Sequence, residues 1–157
     1  MPLNLDRTYM SEALKEAQKA LEADEVPVGA LIVHKGRVIA RAHNQIRLLK
    51  DPTAHAEMIA ITQAAASLAN ERLPGTTVYV TIEPCAMCAG ALILARVKRL
   101  VFGAADPKTG AFGSALDLNR KKLNHRISVT KGVTSGECAS LLKEFFSVKR
   151  KKMRCRL

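Results

Sequence analysis

Two short strings in this chain hold residue types that bind metals and move protons: Thr53-Ala54-His55-Ala56-Glu57, and Glu83-Pro84-Cys85-Ala86-Met87-Cys88. Cysteines three residues apart in a first helical turn project from one face and can share a metal ion. His55 adds an imidazole as a third ligand. One neutral nitrogen and two thiolates balance the charge of Zn2+ and leave a fourth tetrahedral position for water, which distinguishes a catalytic zinc from a structural one. Glu57 then has a purpose: a carboxylate beside activated water can take its proton and pass it on.

Two blander readings compete. A closed structural zinc needs a fourth protein ligand, and Cys138, Cys155 and His125 qualify by type. None of them stands near a second Cys-x-x-Cys or a paired histidine. A redox dithiol would leave the His-x-Glu string without a role. Chemistry at an open zinc explains both strings together.

These side chains need specific positions. Residues two apart in a regular helix point in nearly opposite directions, so His55 and Glu57 converge only if His55 caps a helix and Glu57 sits in its first turn. Both strings therefore belong at helix starts, where the positive end of the helix favours thiolates.

The flanking sequence supplies such helices. Met10, Ala13, Leu14, Ala17 and Leu21 recur at helical spacing, predicting a first helix over about Arg7 to Ala23. Ala30-Leu31-Ile32-Val33 reads as a strand buried on both faces, with Lys35-Gly36 turning into a returning strand from Arg37 to His43. Asp51-Pro52-Thr53 signals a helix start, followed by a mostly buried helix from His55 to Asn70. Thr76 to Ile82 is a β-branched strand, Cys85 to Ala95 a helix, and Arg99 to Gly103 a strand. Asp106 to Asn124 reads as loop with one helical turn. A strand near Ile127 to Thr130 precedes a last helix from Gly136, with Cys138, Leu141, Leu142, Phe145 and Phe146 on its apolar side. Strands alternating with helices predict an α/β fold, a mixed sheet with helices on both faces.

A chain of 157 residues with 48% hydrophobic and 25% charged residues fits one globular domain over 1–157. No apolar run approaches the ~20 residues of a membrane span. The N-terminus, Met-Pro-Leu-Asn-Leu-Asp-Arg, has neither a basic nor an apolar export segment, so a cytoplasmic location and reduced thiols are expected. The formal charge is +11, and the last nine residues from Lys149 hold six of the 25 bases and no acid. Without them 19 bases face 14 acids. Such a tail suits a polyanion, with nucleic acid as the first candidate, or serves as a solvated end.

The pairing of His-x-Glu with Pro-Cys-x-x-Cys resembles the signature of the zinc nucleobase deaminases. Within that superfamily the chain is similar to the bacterial tRNA adenosine deaminases over nearly its whole length. The likeness includes Glu25-Val26-Pro27-Val28-Gly29-Ala30, His43-Asn44, Asp106-Pro107-Lys108-Thr109-Gly110, Asn124-His125-Arg126 and Glu144-Phe145-Phe146. Guanine deaminases share Asp-Pro-Thr-Ala-His-Ala-Glu, so the discriminating features are the Lys-Thr-Gly loop, the Asn-His-Arg string and the basic C-terminal helix. The segment between Asp117 and Asn124 departs from the usual pattern, reading Leu-Asn-Arg-Lys-Lys-Leu.

The resemblance implies a three-layer α/β/α cytidine-deaminase-like fold, one Zn2+ per chain and a homodimer acting on the anticodon loop of tRNA. The wobble adenosine would flip into the zinc pocket. Carried over by motif, Asn44 contacts the base, Val28 forms pocket wall, and backbone N–H groups near Pro84 and Cys85 lie beside the reacting carbon. Asp106 and Lys108 meet neighbouring nucleotides, while Phe146, Lys149 and Arg150 hold the loop. A free-base deaminase of guanine or cytosine, and a non-catalytic zinc-stabilised RNA-binding module, are the alternatives.

Overall fold

The computed structural model describes residues 3–156; Leu157, the end of the basic tail, lies outside them, as do Met1 and Pro2. In chain order the elements are α1 (Leu3–Glu22), β1 (Gly29–His34), β2 (Arg37–His43), α2 (Ile46–Leu49), α3 (Ala56–Leu68), β3 (Thr76–Ile82), α4 (Ala86–Leu94), β4 (Arg99–Ala104), β5 (Ser128–Lys131) and α5 (Ser135–Arg154). The five strands form one sheet in the order β2-β1-β3-β4-β5. Pairing is antiparallel on both sides of β1 and parallel from β3 to β5.

Successive side chains of a strand point to opposite faces, and here both faces are covered. Ala30 and Ile32 of β1 pack with Ala56, Ala60 and Ala64 of α3 and with Leu92 of α4. Leu31 and Val33 pack instead with Met10 and Ala13 of α1 and Cys138 of α5. Val78 and Val80 join the first cluster, and Tyr79 between them joins the second. The result is the expected three-layer α/β/α arrangement, and it explains why β1 reads as an unbroken apolar run.

A buried ion pair fastens α1 across the sheet. Arg99 donates to both carboxylate oxygens of Asp6, at 2.8 and 2.6 Å, and the Tyr79 hydroxyl donates to the same group at 2.9 Å. The guanidinium holds the Asp6 carboxyl below the usual carboxylate range. Because Asp6 faces inward, α1 starts at Leu3, a turn earlier than the apolar spacing from Met10 suggests.

Three other segments differ from the sequence expectation. Asp51-Pro52-Thr53 is a turn, with Asp51 Oδ1 accepting from the Thr53 N–H at 2.8 Å and its hydroxyl at 2.7 Å, and the helix begins only at Ala56. The short α2 is additional. Its first turn is held by Glu25, a buried carboxylate that accepts the Arg47 N–H at 2.7 Å. Finally, α3 is half-buried, since Thr62, Gln63, Ala66 and Ser67 face outward.

Glycine is required where α1 crosses the start of β1. A methyl group at Gly29 would sit 2.0 Å from the Ala13 carbonyl oxygen and 2.6 Å from the Ala17 nitrogen. Both obstacles are backbone and cannot swing aside. Gly90 in α4 has open space around the same position. Gly29→Ala is therefore expected to destabilise the fold by about 3 kcal/mol or to prevent folding. Gly90→Ala is expected to stabilise it by about 0.5–1 kcal/mol through helix propensity. Urea unfolding of the two variants checks this; equal midpoints would contradict it.

Candidate active site

His55 and Cys85 occupy the N-cap positions of α3 and α4, with extended backbones at φ −70°, ψ 151° and φ −73°, ψ 176°. A capping side chain ordinarily turns back onto the first N–H groups of its own helix. Neither does so here. The imidazole and the thiol instead face each other across the gap between two helix starts. His55 Nδ1 lies 3.5 Å from Cys88 Sγ and 3.7 Å from Cys85 Sγ, and the three donor atoms all lie within 4.8 Å of one another. A nitrogen and a sulfur on one tetrahedral zinc are separated by about 3.5 Å, so the donor set fits that ion in type and in spacing. Cys138 is buried in the opposite core layer and Cys155 is exposed at the end of α5, so neither supplies a fourth ligand.

The Cys88 thiol and the His55 ring both hydrogen-bond the Cys85 sulfur and draw its pKa down to about 4. The same contact, together with burial, pushes the Cys88 thiol up. The Cys85 sulfur raises His55 in turn. A divalent ion favours the thiolate form of both cysteines, coupling metal uptake to proton release.

Glu57 stands in the first turn of α3, 3% exposed. Its Oε1 is the one buried side-chain N or O atom among the described residues without a hydrogen-bond partner. Burial raises its pKa. An orphaned acceptor beside a cluster of metal donors marks a place where a proton-bearing ligand belongs.

His55, Glu57 and Cys85 line a cavity of about 180 Å³ walled by Val26, Val28 and Ile82, with Asn44, Asp106 and Thr109 as further polar lining and Cys88 buried behind them. Asn44 is buried, and its Oδ1 accepts the Ala56 N–H at 2.7 Å. That bond satisfies the first N–H of α3, and it orients the amide with Nδ2 as its donor end. Pro84 is buried behind Cys85, and its carbonyl accepts the Ala111 N–H at 2.8 Å. Asp106 stands at the cavity mouth, where its carboxylate accepts from the Lys108 and Thr109 N–H groups and the Thr109 hydroxyl, shaping the turn they form.

The remaining expected residues gather in a neighbouring groove of about 640 Å³ between this turn and α5. Lys108, Phe146, Lys149 and Arg150 line it, and Ile82, Asp106 and Thr109 are shared with the cavity. Phe146 is 45% exposed, whereas Phe145 beside it is buried. Lys149 is already matched by Asp24, to which it donates at 2.9 Å, while Arg150 is exposed. His43 and His125 serve the scaffold, one against Glu16 and the other against the Val97 carbonyl.

Sequence reasoning missed Glu83. Its buried carboxylate accepts from the N–H groups of Asp106 at 3.2 Å, Phe112 at 3.0 Å and Ser114 at 3.2 Å, and from the Ser114 hydroxyl. Gly110 fits against it, since a methyl there would lie 2.4 Å from the carboxyl carbon. One residue before Pro84-Cys85, Glu83 thus ties the loop at the cavity mouth to the arm that carries the thiols. The signal was an acid ending an apolar strand, which burial requires to be partnered.

A mixed α/β/α sheet with His-x-Glu and Cys-x-x-Cys at two facing helix starts defines a nucleobase-deaminase type of site. The chain belongs to the deaminases, the model of the MafB19-like deaminase family matching residues 4–150. It is 49% identical to the tRNA-specific adenosine deaminase of Bacillus subtilis, over 94% of this chain and 92% of that protein. Among solved structures it is similar to a tRNA:A34 deaminase studied for A-to-I editing at the wobble position of transfer RNA. That likeness has 48% identity and a TM-score of 0.83, covering 86% of this chain and 99% of the other. A guanine deaminase from Nitrosomonas europaea is more distant, at 27% identity and a TM-score of 0.75 over 88% of this chain and 83% of the other.

Removing the Glu83 carboxylate leaves the loop amides without their acceptor. Bonds to a charged acceptor contribute about 1.5–3 kcal/mol, so in Glu83→Ala the Asp106, Phe112 and Ser114 amides are expected to exchange hydrogen roughly ten- to a hundredfold faster. The amides of β1 are expected to keep their protection. Unchanged exchange at all three loop positions would show that Glu83 does not hold the loop.

Proposed function

We propose that this chain, acting as one deaminase domain, hydrolyses the wobble adenosine of a tRNA anticodon loop to inosine and releases ammonia. The observation that carries this reading is the continuity of cavity and groove. A buried pocket for one base opens past Asp106 and Thr109 onto an exposed aromatic ring and the cations Lys108 and Arg150. A free base has no phosphate to meet them, whereas a loop does. Phe146 gives a stacking face to a neighbouring base. A loop base is already partly unstacked, so drawing it into the cavity costs less than extruding one from a duplex.

His55, Cys85 and Cys88 would hold one zinc ion. Zinc, when bound, lowers the pKa of water toward neutrality and so supplies a nucleophile. Glu57 moves the protons. Its Oε1 takes one from the attacking water and delivers it to the adenine ring nitrogen N1. The same carboxyl then carries a second proton to the departing amine, so adenosine and water become inosine and ammonia. Burial keeps Glu57 ready to hold each proton between transfers. Asn44, fixed by Ala56, donates from Nδ2 to the base, and Val28 packs against its ring. Asp106 retains acceptor capacity for a ribose 2′-hydroxyl, which would separate RNA from DNA. Arg150 and the bases beyond it face phosphates, and Lys149 contributes only the charge that Asp24 leaves it.

The homodimer belongs to the same proposal. Leu48 and Leu94, 71% and 75% exposed, are apolar side chains that a partner would cover. No described helix is long and apolar enough to cross a membrane, and a tRNA substrate places the work in the cytoplasm.

The test is incubation with a tRNA carrying a wobble adenosine, alongside free adenosine, guanine and cytosine, with inosine and ammonia assayed. Inosine in the tRNA alone is expected. In Glu57→Gln, metal content is expected to stay at one zinc per chain while turnover falls by at least ~10²–10⁴-fold. Turnover of guanine or cytosine in preference to tRNA, or near-normal turnover of the variant, would overturn the reading.

A further inference from the structure

The strand register assembles a second set of cations at the end of the sheet opposite the active site. His34 is paired with both Arg37 and Thr76, Thr77 with Arg99, and Arg99 with Ser128. The β1–β2 turn, the approach to β3 and the starts of β4 and β5 therefore lie side by side. These segments carry Lys35, Arg37, Arg72, Lys98 and Arg126, all exposed. Lys35 and Lys98 line one cavity of about 410 Å³. Arg126 is brought near Lys98 by the Ser128 N–H, which donates to the Lys98 carbonyl at 3.1 Å. The Leu73 N–H donates to the Ala95 carbonyl at 2.6 Å, tying the chain beside Arg72 to the connection from α4 into β4.

Almost nothing balances this charge. Among the described residues none of the five cations is in an ion pair. Asp6 is committed to Arg99, which leaves Glu71 as the one other acid in these segments. Where the sheet needs a charge in its interior it pairs it, as Arg99 shows; the five exposed cations contribute no contact of that kind to the fold. Unpaired like charges repel and favour a polyanion. The nearest large exposed apolar side chains in sequence, Leu94 and Leu123, fall outside these four segments, so unpaired charge is what defines this end.

We propose that this end binds the phosphate backbone of RNA outside the loop that enters the cavity, an inference that rests on the polynucleotide reading above. The surface is distinct from the α5 groove. The seven-residue strand β3 runs from Thr76 at this end to Ile82 at the cavity, about 20 Å at strand rise. The phosphates come either from the body of the same tRNA or from a second RNA, and the chemistry of recognition is the same.

The test uses the full chain and the triple variant Lys35→Ala/Lys98→Ala/Arg126→Ala, whose exposed positions leave the core intact. Binding is measured between 50 and 200 mM salt in two arms. One uses full-length tRNA. The other uses a labelled unrelated RNA duplex added to protein saturated with an anticodon stem-loop. Loss of three phosphate contacts is expected to flatten the slope of log affinity against log salt by about 2–3. Flattening in the first arm assigns the phosphates to the same tRNA, and flattening in the second assigns them to another RNA. Slopes unchanged in both arms overturn the proposal. Stem-loop deamination is expected to be equal in variant and parent. If the parent deaminates no RNA the functional reading fails, while the binding slopes still decide the fate of this surface.

Discussion

The site depends on two helix caps that do not cap. At His55 and at Cys85 the backbone turns from extended to helical, yet each side chain is left free to point across to the other. Had His55 been one residue further into α3, Glu57 would point away from it. The side-chain oxygen of Asn44 supports the arrangement from outside the helix by accepting the first N–H of α3, that of Ala56. One geometric choice therefore places three metal donors and a buried carboxylate on one floor.

The same economy governs the mouth of the cavity. The loop from Asp106 to Ser114 has little regular structure of its own, and Glu83 gathers its N–H groups onto one buried carboxylate. The Ala111 N–H adds a bond to the Pro84 carbonyl. The loop at the cavity mouth and the thiol arm are thus held by adjacent residues, Glu83 and Pro84. The donor cluster and the cavity mouth are thereby joined through one strand end, an arrangement that suits chemistry needing a base placed accurately over a nucleophile.

Much of this was legible in the sequence. The buried run Ala30 to Val33 and the alternation in Thr76 to Ile82 specify a sheet covered on both sides, and the structure has it. The spacing of His55, Glu57, Cys85 and Cys88 required helix starts, and helix starts are what carry them. Long-range partnership was not legible. Glu25 and Glu83 look like ordinary acids until the fold buries them against backbone donors 22 to 31 residues away. Asp51-Pro52-Thr53 carries the residue types of a helix start, but the Asp51 side chain closes a local turn instead. Lys149 reads as one more tail cation until the fold sets it against Asp24, 125 positions earlier.

The most direct measurement is X-ray absorption at the zinc edge of the metal-loaded protein. The geometry described here is expected to yield two sulfur ligands at about 2.3 Å and two nitrogen or oxygen ligands at about 2.0–2.1 Å, one of them histidine and the other exchangeable with solvent. A shell of three or four sulfurs, or four protein ligands with no exchangeable position, would contradict the claim that His55, Cys85 and Cys88 hold an open, catalytic zinc beside Glu57.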